Sequence, residues 1–330
     1  MGTVLRRRFL LTTVVLLAVS TVSHAQRGKA RRIGFLFFAT EAWALTTGPM
    51  DAFLRGMRAL GYEEGRDFVV EARFAGNETQ RLPSLAAELV KSSPDVILAF
   101  GTPSNHAAKK ATSTIPIVFV VSSDPVGEGL ASSLARPGGN ITGLSNIASV
   151  LVSKQVELLK LAMPKLSRLA VLSNPGHIGH PPQVTAIGAV SKKLGLHMLP
   201  LHARNSEEIG YAFASMERQR ADAVVVLGDA VFSEQRRQIV ELALKHRAPS
   251  IYSAPFHAEV GGLISYGADT TDHFRQAAAF VDRIFKGNKP GDIPIEQPTR
   301  FELVLNLRTA KALGIRLPQS LLLRADRVIE

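Results

Sequence analysis

Ile33-Gly34-Phe35-Leu36-Phe37-Phe38 is an unbroken apolar run, the pattern of a strand buried on both faces of a parallel sheet. Behind it, Met50, Phe53, Leu54, Met57 and Leu60 recur at i, i+3, i+4 spacing. That spacing predicts an amphipathic helix over 50–60, closed by Gly61. Phe68–Phe74 reads as a second strand, followed by a helix from about Arg81 to Lys91. Asp95–Phe100 and Ile115–Val121 are two more buried strands, with a short helix near Asn105–Ala111 between them. The order is βαβαβαβ.

The unit then repeats. Arg168–Leu172, Leu196–Leu201, Ala223–Leu227 and Ser250–Tyr252 are strand-like, and helical segments lie near Val184–Leu194, Ser206–Arg218 and Ser233–His246. Such alternation predicts an α/β protein of two Rossmann-like lobes, each a parallel sheet with helices on both faces. Arg136-Pro137-Gly138-Gly139-Asn140 and Lys286-Gly287-Asn288-Lys289-Pro290-Gly291 punctuate the chain between the repeats and near its end. The chain is therefore expected to cross between lobes more than once, as a hinged clamshell does.

Length and composition agree with this. The 330 residues, 46% hydrophobic and 20% charged, suit two domains with real cores and exclude a disordered or fibrous chain. The formal charge of +11 raises the question of nucleic acid. Arg6, Arg7 and Arg8 precede an apolar run from Phe9 to Val22 and then Ser23-His24-Ala25. Basic region, short apolar region and small-x-Ala site make residues 1–25 an expected signal peptide. The run is too short to cross a hydrocarbon core of roughly 30 Å comfortably. Arg6-Arg7-Arg8-Phe9-Leu10 also fits the core of a twin-arginine signal. Without residues 1–25, 36 basic residues face 28 acidic ones, and Arg27, Lys29, Arg31 and Arg32 lie in the lead before the first strand. The lobes themselves are nearly balanced. A nucleic-acid regulator would need a helix-turn-helix where the signal peptide stands, so no nucleic-acid partner is expected. With no cysteine there is no disulfide, thiolate metal site or N-terminal lipid anchor. The expected product is a free periplasmic protein, not a lipoprotein.

Enzyme signatures are missing: no phosphate loop, no G-x-S-x-G elbow, no H-E-x-x-H. Gly127–Ser132 reads as a turn rather than a dinucleotide fingerprint, and His177 and His180 as exposed loop residues rather than metal ligands. What remains are the strand ends, where open α/β sheets bind ligands beside helix N-termini. They carry Thr40, Glu41 and Trp43; Gly101, Thr102 and Ser104; Ser122, Ser123 and Asp124; then Asn174, Asp229 and Tyr252, with Asn146 at the end of the first repeat. Each hydroxyl taken alone reads first as a helix cap, and it is their convergence on one edge of both sheets that raises the binding reading. Trp43, the sole Trp, is a stacking platform or a core residue. Asp229 is a partner for a ligand ammonium or an N-cap, and Asp124 reads first as a turn residue.

Asp124-Pro125-Val126-Gly127, Pro137-Gly138-Gly139-Asn140-Ile141-Thr142-Gly143, Phe301–Leu307, Thr309–Gly314 and the ending Leu322–Glu330 together resemble the ABC-transporter solute-binding proteins of the tryptophan/tyrosine-binding type. The resemblance spans about Arg31 to Glu330. It implies a type I periplasmic-binding fold with three interlobe crossings. The first lobe would be 31–145 plus about 265–288, and the second 146–264 plus about 289–330. It also implies capture of a small molecule in the cleft by hinge closure, without a cofactor or metal, by a monomer that serves an ABC permease in the inner membrane. On that resemblance, Thr102, Ser104, Ser122 and Ser123 would hold a ligand carboxylate, with Asp229 and Asn174 facing from the second lobe. An aromatic carboxylate would leave Asp229 without a cation. A sensing subunit would use the same cleft, and an exported enzyme lacks a visible nucleophile–base pair.

Overall fold

The computed structural model describes residues 30–46 and 48–330, so the expected signal peptide lies outside the described residues. The first half runs β1 (Arg31–Phe37), α1 (Glu41–Thr46), α2 (Pro49–Ala59), β2 (Phe68–Phe74), α3 (Leu82–Lys91), β3 (Val96–Phe100), α4 (Thr102–Ala111), β4 (Ile117–Ser122) and β5 (Ile141–Ser145). These five strands form one all-parallel sheet in the order β2-β1-β3-β4-β5. Central strands β1, β3 and β4 are buried almost end to end, as their unbroken apolar runs require.

The chain then crosses into α5 (Ala148–Ala162), β6 (Arg168–Ser173), α6 (His180–Lys193), β7 (His197–His202), α7 (Ser206–Arg218), β8 (Ala223–Val226), α8 (Ala230–Glu234), α9 (Arg236–Lys245), β9 (Ser250–Tyr252), α10 (Pro255–Glu259) and β10 (Ile264–Gly267). It crosses back into α11 (Thr270–Phe285). A third passage leads to β11 (Glu302–Asn306), α12 (Leu307–Leu313), α13 (Gln319–Leu322) and β12 (Arg327–Ile329). The second sheet has the order β12-β11-β10-β9-β8-β6-β7. It departs from the expected parallel pattern at one place, because β11 runs antiparallel to β10, pairing Ile264 with Leu305. A strand that re-enters after an excursion into the other lobe is free to run either way.

Helix α11 belongs to the first lobe. Phe274, Ala277, Phe280 and Val281 share a buried cluster with Phe35, Phe37, Phe53 and Met57. The crossing with α2 is close enough that a Cβ on Gly56 would stand 2.5 Å from the Arg275 carbonyl oxygen. The return segment differs at both ends from the expected 265–288. Residues 264–267 stay in the second sheet as β10. Residues beyond 288 stay on the first lobe, because edge strand β5 needs partners for its open side. Thr142 Oγ1 donates to the Ile293 carbonyl at 2.8 Å, and the Glu296 N–H donates to the Gly143 carbonyl at 3.1 Å. Gly143 sits at φ 152°, and any Cβ there would meet the Phe119 carbonyl oxygen at 2.1 Å. The predicted helix over 233–246 is two helices that break at Gln235, which caps both.

Candidate ligand-binding cleft

A cavity of ≈ 120 Å³ lies between the carboxyl ends of the two sheets. Its apolar wall is Phe38, Trp43 and Phe100 from the first lobe, with Phe256 from the second. Trp43 stands on α1 rather than in a loop. Its ring stacks on Phe100 at 5.2 Å and 16°. At 7% exposure it is part of the first-lobe core and of the cavity wall at once.

The polar wall brings together Gly101, Thr102, Ser123, Asn146 and Asp229 from the expected set. Ser123, one residue past the end of β4, lines the cavity, while its neighbour Ser122 is turned away from it onto Glu128. The β4 strand end is bent. Val121 adopts φ 73°, its carbonyl held by Asn105 Nδ2 at 3.0 Å, and Ile147, which opens α5, adopts φ 45°. For β-branched residues such angles are strained, and strain of this kind gathers at functional sites.

Asp229 is 6% exposed and caps α8, accepting from the Val231 N–H at 2.8 Å and the Phe232 N–H at 3.4 Å. Its other oxygen accepts from Asn174 Nδ2 at 3.1 Å. Burial pushes its carboxyl pKa up, opposed by neighbouring His180 and by these donors. Cap and cavity residue are therefore one role, not two alternatives. Asn174 does not line the cavity, but it positions Asp229 from behind.

The remaining expected residues lie off the wall. Glu41 is exposed in the first turn of α1. Thr40 caps that helix through the Trp43 N–H and donates across the cleft to Glu234. Asn77 donates to the other Glu234 oxygen, so both bonds join the lobes at the rim. Asp124 is an exposed turn residue accepting from the Gly127 N–H. Ser104 and Tyr252 are fully buried outside the lining, and Tyr252 stacks on His257 at 4.6 Å.

Gln155, Gln183, Ser233 and His273 line the cavity without having stood out in the sequence, and His177, expected in an exposed loop, joins them with Ser253 from the end of β9. Gln155 donates to the Tyr266 carbonyl at 2.8 Å, while its Oε1 is buried and makes no hydrogen bond. Gln183 reaches from α6 to Ser123 Oγ at 3.4 Å.

His177 and His180 are not the exposed loop pair expected. His180 is 2% exposed, opens α6, and stacks on His177 at 4.2 Å. Ligand-type atoms of His177, His180 and Asp229 lie within 4.8 Å of one another. However, His180 Nδ1 accepts from the Asn174 N–H at 2.9 Å, and its Nε2 is 3.1 Å from the Gly228 carbonyl. Both oxygens of Asp229 are also engaged. His180 and Asp229 are thus held by the protein's own hydrogen bonds, with His177 stacked beside them. Burial pulls both imidazole pKa values down.

Two α/β lobes, three crossings and a cavity at their facing strand ends define a two-lobed binding protein of the type I periplasmic-binding fold. The chain belongs to the ABC transporter substrate-binding protein family, whose sequence profile matches residues 47–329. It is 28% identical over 264 residues to a tyrosine-binding protein of Clostridioides difficile, covering 80% of this chain and 76% of that one. A conserved domain protein from Vibrio cholerae superposes with TM-score 0.85 at 28% identity, over 91% of this chain and 100% of that one. An ABC domain from Streptococcus pneumonia in complex with L-Trp gives TM-score 0.82 at 26% identity, again over 91% and 100%.

Proposed function

We propose that this chain is the extracytoplasmic receptor of an ABC importer, closing its lobes on an aromatic, amino-acid-like solute for an inner-membrane permease. One juxtaposition carries the reading: the Trp43–Phe100 stack faces the same cavity as the buried carboxylate of Asp229. The stack suits a flat ring and the carboxylate suits an ammonium. Ser123 and Asn146 add neutral polar groups to the same wall. The rim bonds from Thr40 and Asn77 to Glu234 belong to the closed arrangement. Similarity to a tyrosine-binding protein and to an L-Trp complex supports the ring class. The arginine-led apolar segment before Gln26 supports export to the periplasm, and no helix among the described residues is long and apolar enough to cross a membrane.

The test is calorimetric titration with aromatic amino acids, their amides, the parent amines and the matching aromatic acids, against aliphatic controls. At least one aromatic compound should bind with Kd of about 1 μM or tighter, roughly −8 kcal/mol. Trp43, the sole Trp of the chain, should report a non-tryptophan ligand by a change in its emission. A panel in which no aromatic compound binds overturns the assignment.

A further inference from the structure

Two of the donors expected to receive a ligand carboxylate, Ser122 and Thr102, are already occupied. Glu128, in the turn after β4, folds its side chain back toward the N-terminus of α4. Ser122 Oγ donates to Glu128 Oε2 at 2.6 Å, Thr102 Oγ1 to Oε1 at 3.3 Å, and the Asp124 N–H to Oε1 at 3.2 Å. A carboxylate only accepts, so each of these hydroxyl protons is committed to it. Among the described residues no ion pair forms with the group; its charged neighbour Asp124 is itself acidic, and burial holds the pKa of Glu128 above the usual range against the three donors. It also lies at the interlobe seam, since a Cβ on Gly179 of the second lobe would come within 3.3 Å of Oε1 and 3.0 Å of Ser123 Oγ.

The cavity beside it is equally short of positive charge. No Lys or Arg is among the described residues that line it, and its carboxylate is Asp229. The Ser233 hydroxyl is committed to the Asp229 carbonyl at 2.8 Å, whereas Gln155 Oε1 is a buried acceptor with nothing to accept. Acceptors are on offer, and of the four lining hydroxyls those of Thr102 and Ser233 are spent on protein acceptors.

We propose that Glu128 is a specificity-determining residue, an internal carboxylate that fills the anion niche of the first lobe. The cleft then prefers an aromatic ammonium ligand whose carboxyl group is blocked or absent to the free amino acid. This rests on the aromatic-solute reading above and deepens it by naming which end of the ligand is recognised.

The experiment compares Kd for an aromatic amino acid, its amide and its parent amine in the wild-type protein, Glu128→Ala and Glu128→Gln. Wild type should bind the amide or amine at least as tightly as the free acid. Glu128→Ala frees Ser122 and Thr102 and should move the acid-to-amide ratio roughly tenfold toward the acid, the size of one charge-assisted hydrogen bond gained. Should that variant fail to fold, Glu128→Gln keeps one of the two acceptor oxygens and removes the charge. It should move the ratio in the same direction by about threefold. A wild type that binds the acid tenfold tighter than the amide, or variants that leave the ratio within twofold, overturns the proposal while the aromatic reading stands. If nothing in the panel binds, the aromatic reading falls and this proposal falls with it.

Discussion

The two lobes reach the cleft by the same construction, parallel strands ending at helix N-termini, but they finish it differently. In the first lobe, Ser122, Thr102 and the Asp124 N–H are turned onto an internal carboxylate, Glu128, just behind the cavity wall. In the second lobe, Asn174 and the first N–H groups of α8 are turned onto Asp229, whose carboxylate is part of the wall itself. The chemistry is the same in both, neutral donors satisfying a buried anion. The difference is which partner faces the ligand. A cluster of Ser and Thr at strand ends therefore marks an anion niche without saying whose anion fills it. In this chain one niche is filled from within, and the other presents its anion outward.

Three changes break or sharpen that contrast. The largest effect should come from Asp229→Ala, which removes the outward carboxylate and the α8 cap together. Affinity for an ammonium-bearing ligand should fall roughly a hundredfold, and stability should fall by about 1 kcal/mol from the lost cap. Asp229→Asn keeps a good N-cap, so its melting temperature should recover while its affinity does not. Full binding by the Asn variant would show that the charge faces no ligand.

The second concerns pH. His257 is buried neutral against Tyr252 in the second lobe, its pKa lowered from 6.5 to about 3. Burial also lowers His177, His180, His106 and His273. The unfolded chain takes up these protons first as pH drops, so the stability is complete above about pH 6.5 and drains away below it. Each histidine contributes at most roughly 1.4 kcal/mol per pH unit. Thermal melts from pH 7 to pH 5 should show a falling Tm, with a shallower slope in His257→Phe. A flat profile would contradict neutral burial of these imidazoles. The smallest effect should be that of Glu234→Ala, which cuts the rim bonds to Thr40 and Asn77. Ligand dissociation should quicken by about threefold to tenfold in stopped flow, and an unchanged off-rate would show that these bonds do not hold the lobes together.

Much of the scaffold was legible because periodicity is a direct record of burial. Phe68–Phe74, Ser206–Arg218 and Ser250–Tyr252 are elements with the very limits their patterns predict. Elements without a strong period were not legible this way: β5 is five residues around a glycine, and only the family resemblance pointed to the return of α11. The site divided similarly. Trp43, Thr102, Ser123 and Asp229 follow from their places after strands. Gln155 lies well inside a helix, where composition carries no sign of a cavity. His180 and Gln183 could have been found, because Pro181-Pro182 marks a helix start just beyond β6. Glu128 could not, since nothing local says that its side chain folds back six residues onto Ser122. The positive φ of Val121 was likewise hidden, because its residue type argues against it.

Helix α11 carries a consequence for biosynthesis. The core of the first lobe is closed over α2 by residues made some two hundred positions later, and its edge strand is paired by Ile293 and Glu296. As the chain emerges from the ribosome, that lobe has its five strands early but lacks its covering layer until residue 285 and its last edge partner until residue 296. The amino-terminal half thus completes its fold only with the carboxyl-terminal half. A truncation at residue 269 should expose apolar surface on α2, far along the chain from the cut, and the order of synthesis keeps the first lobe open until the chain is nearly whole.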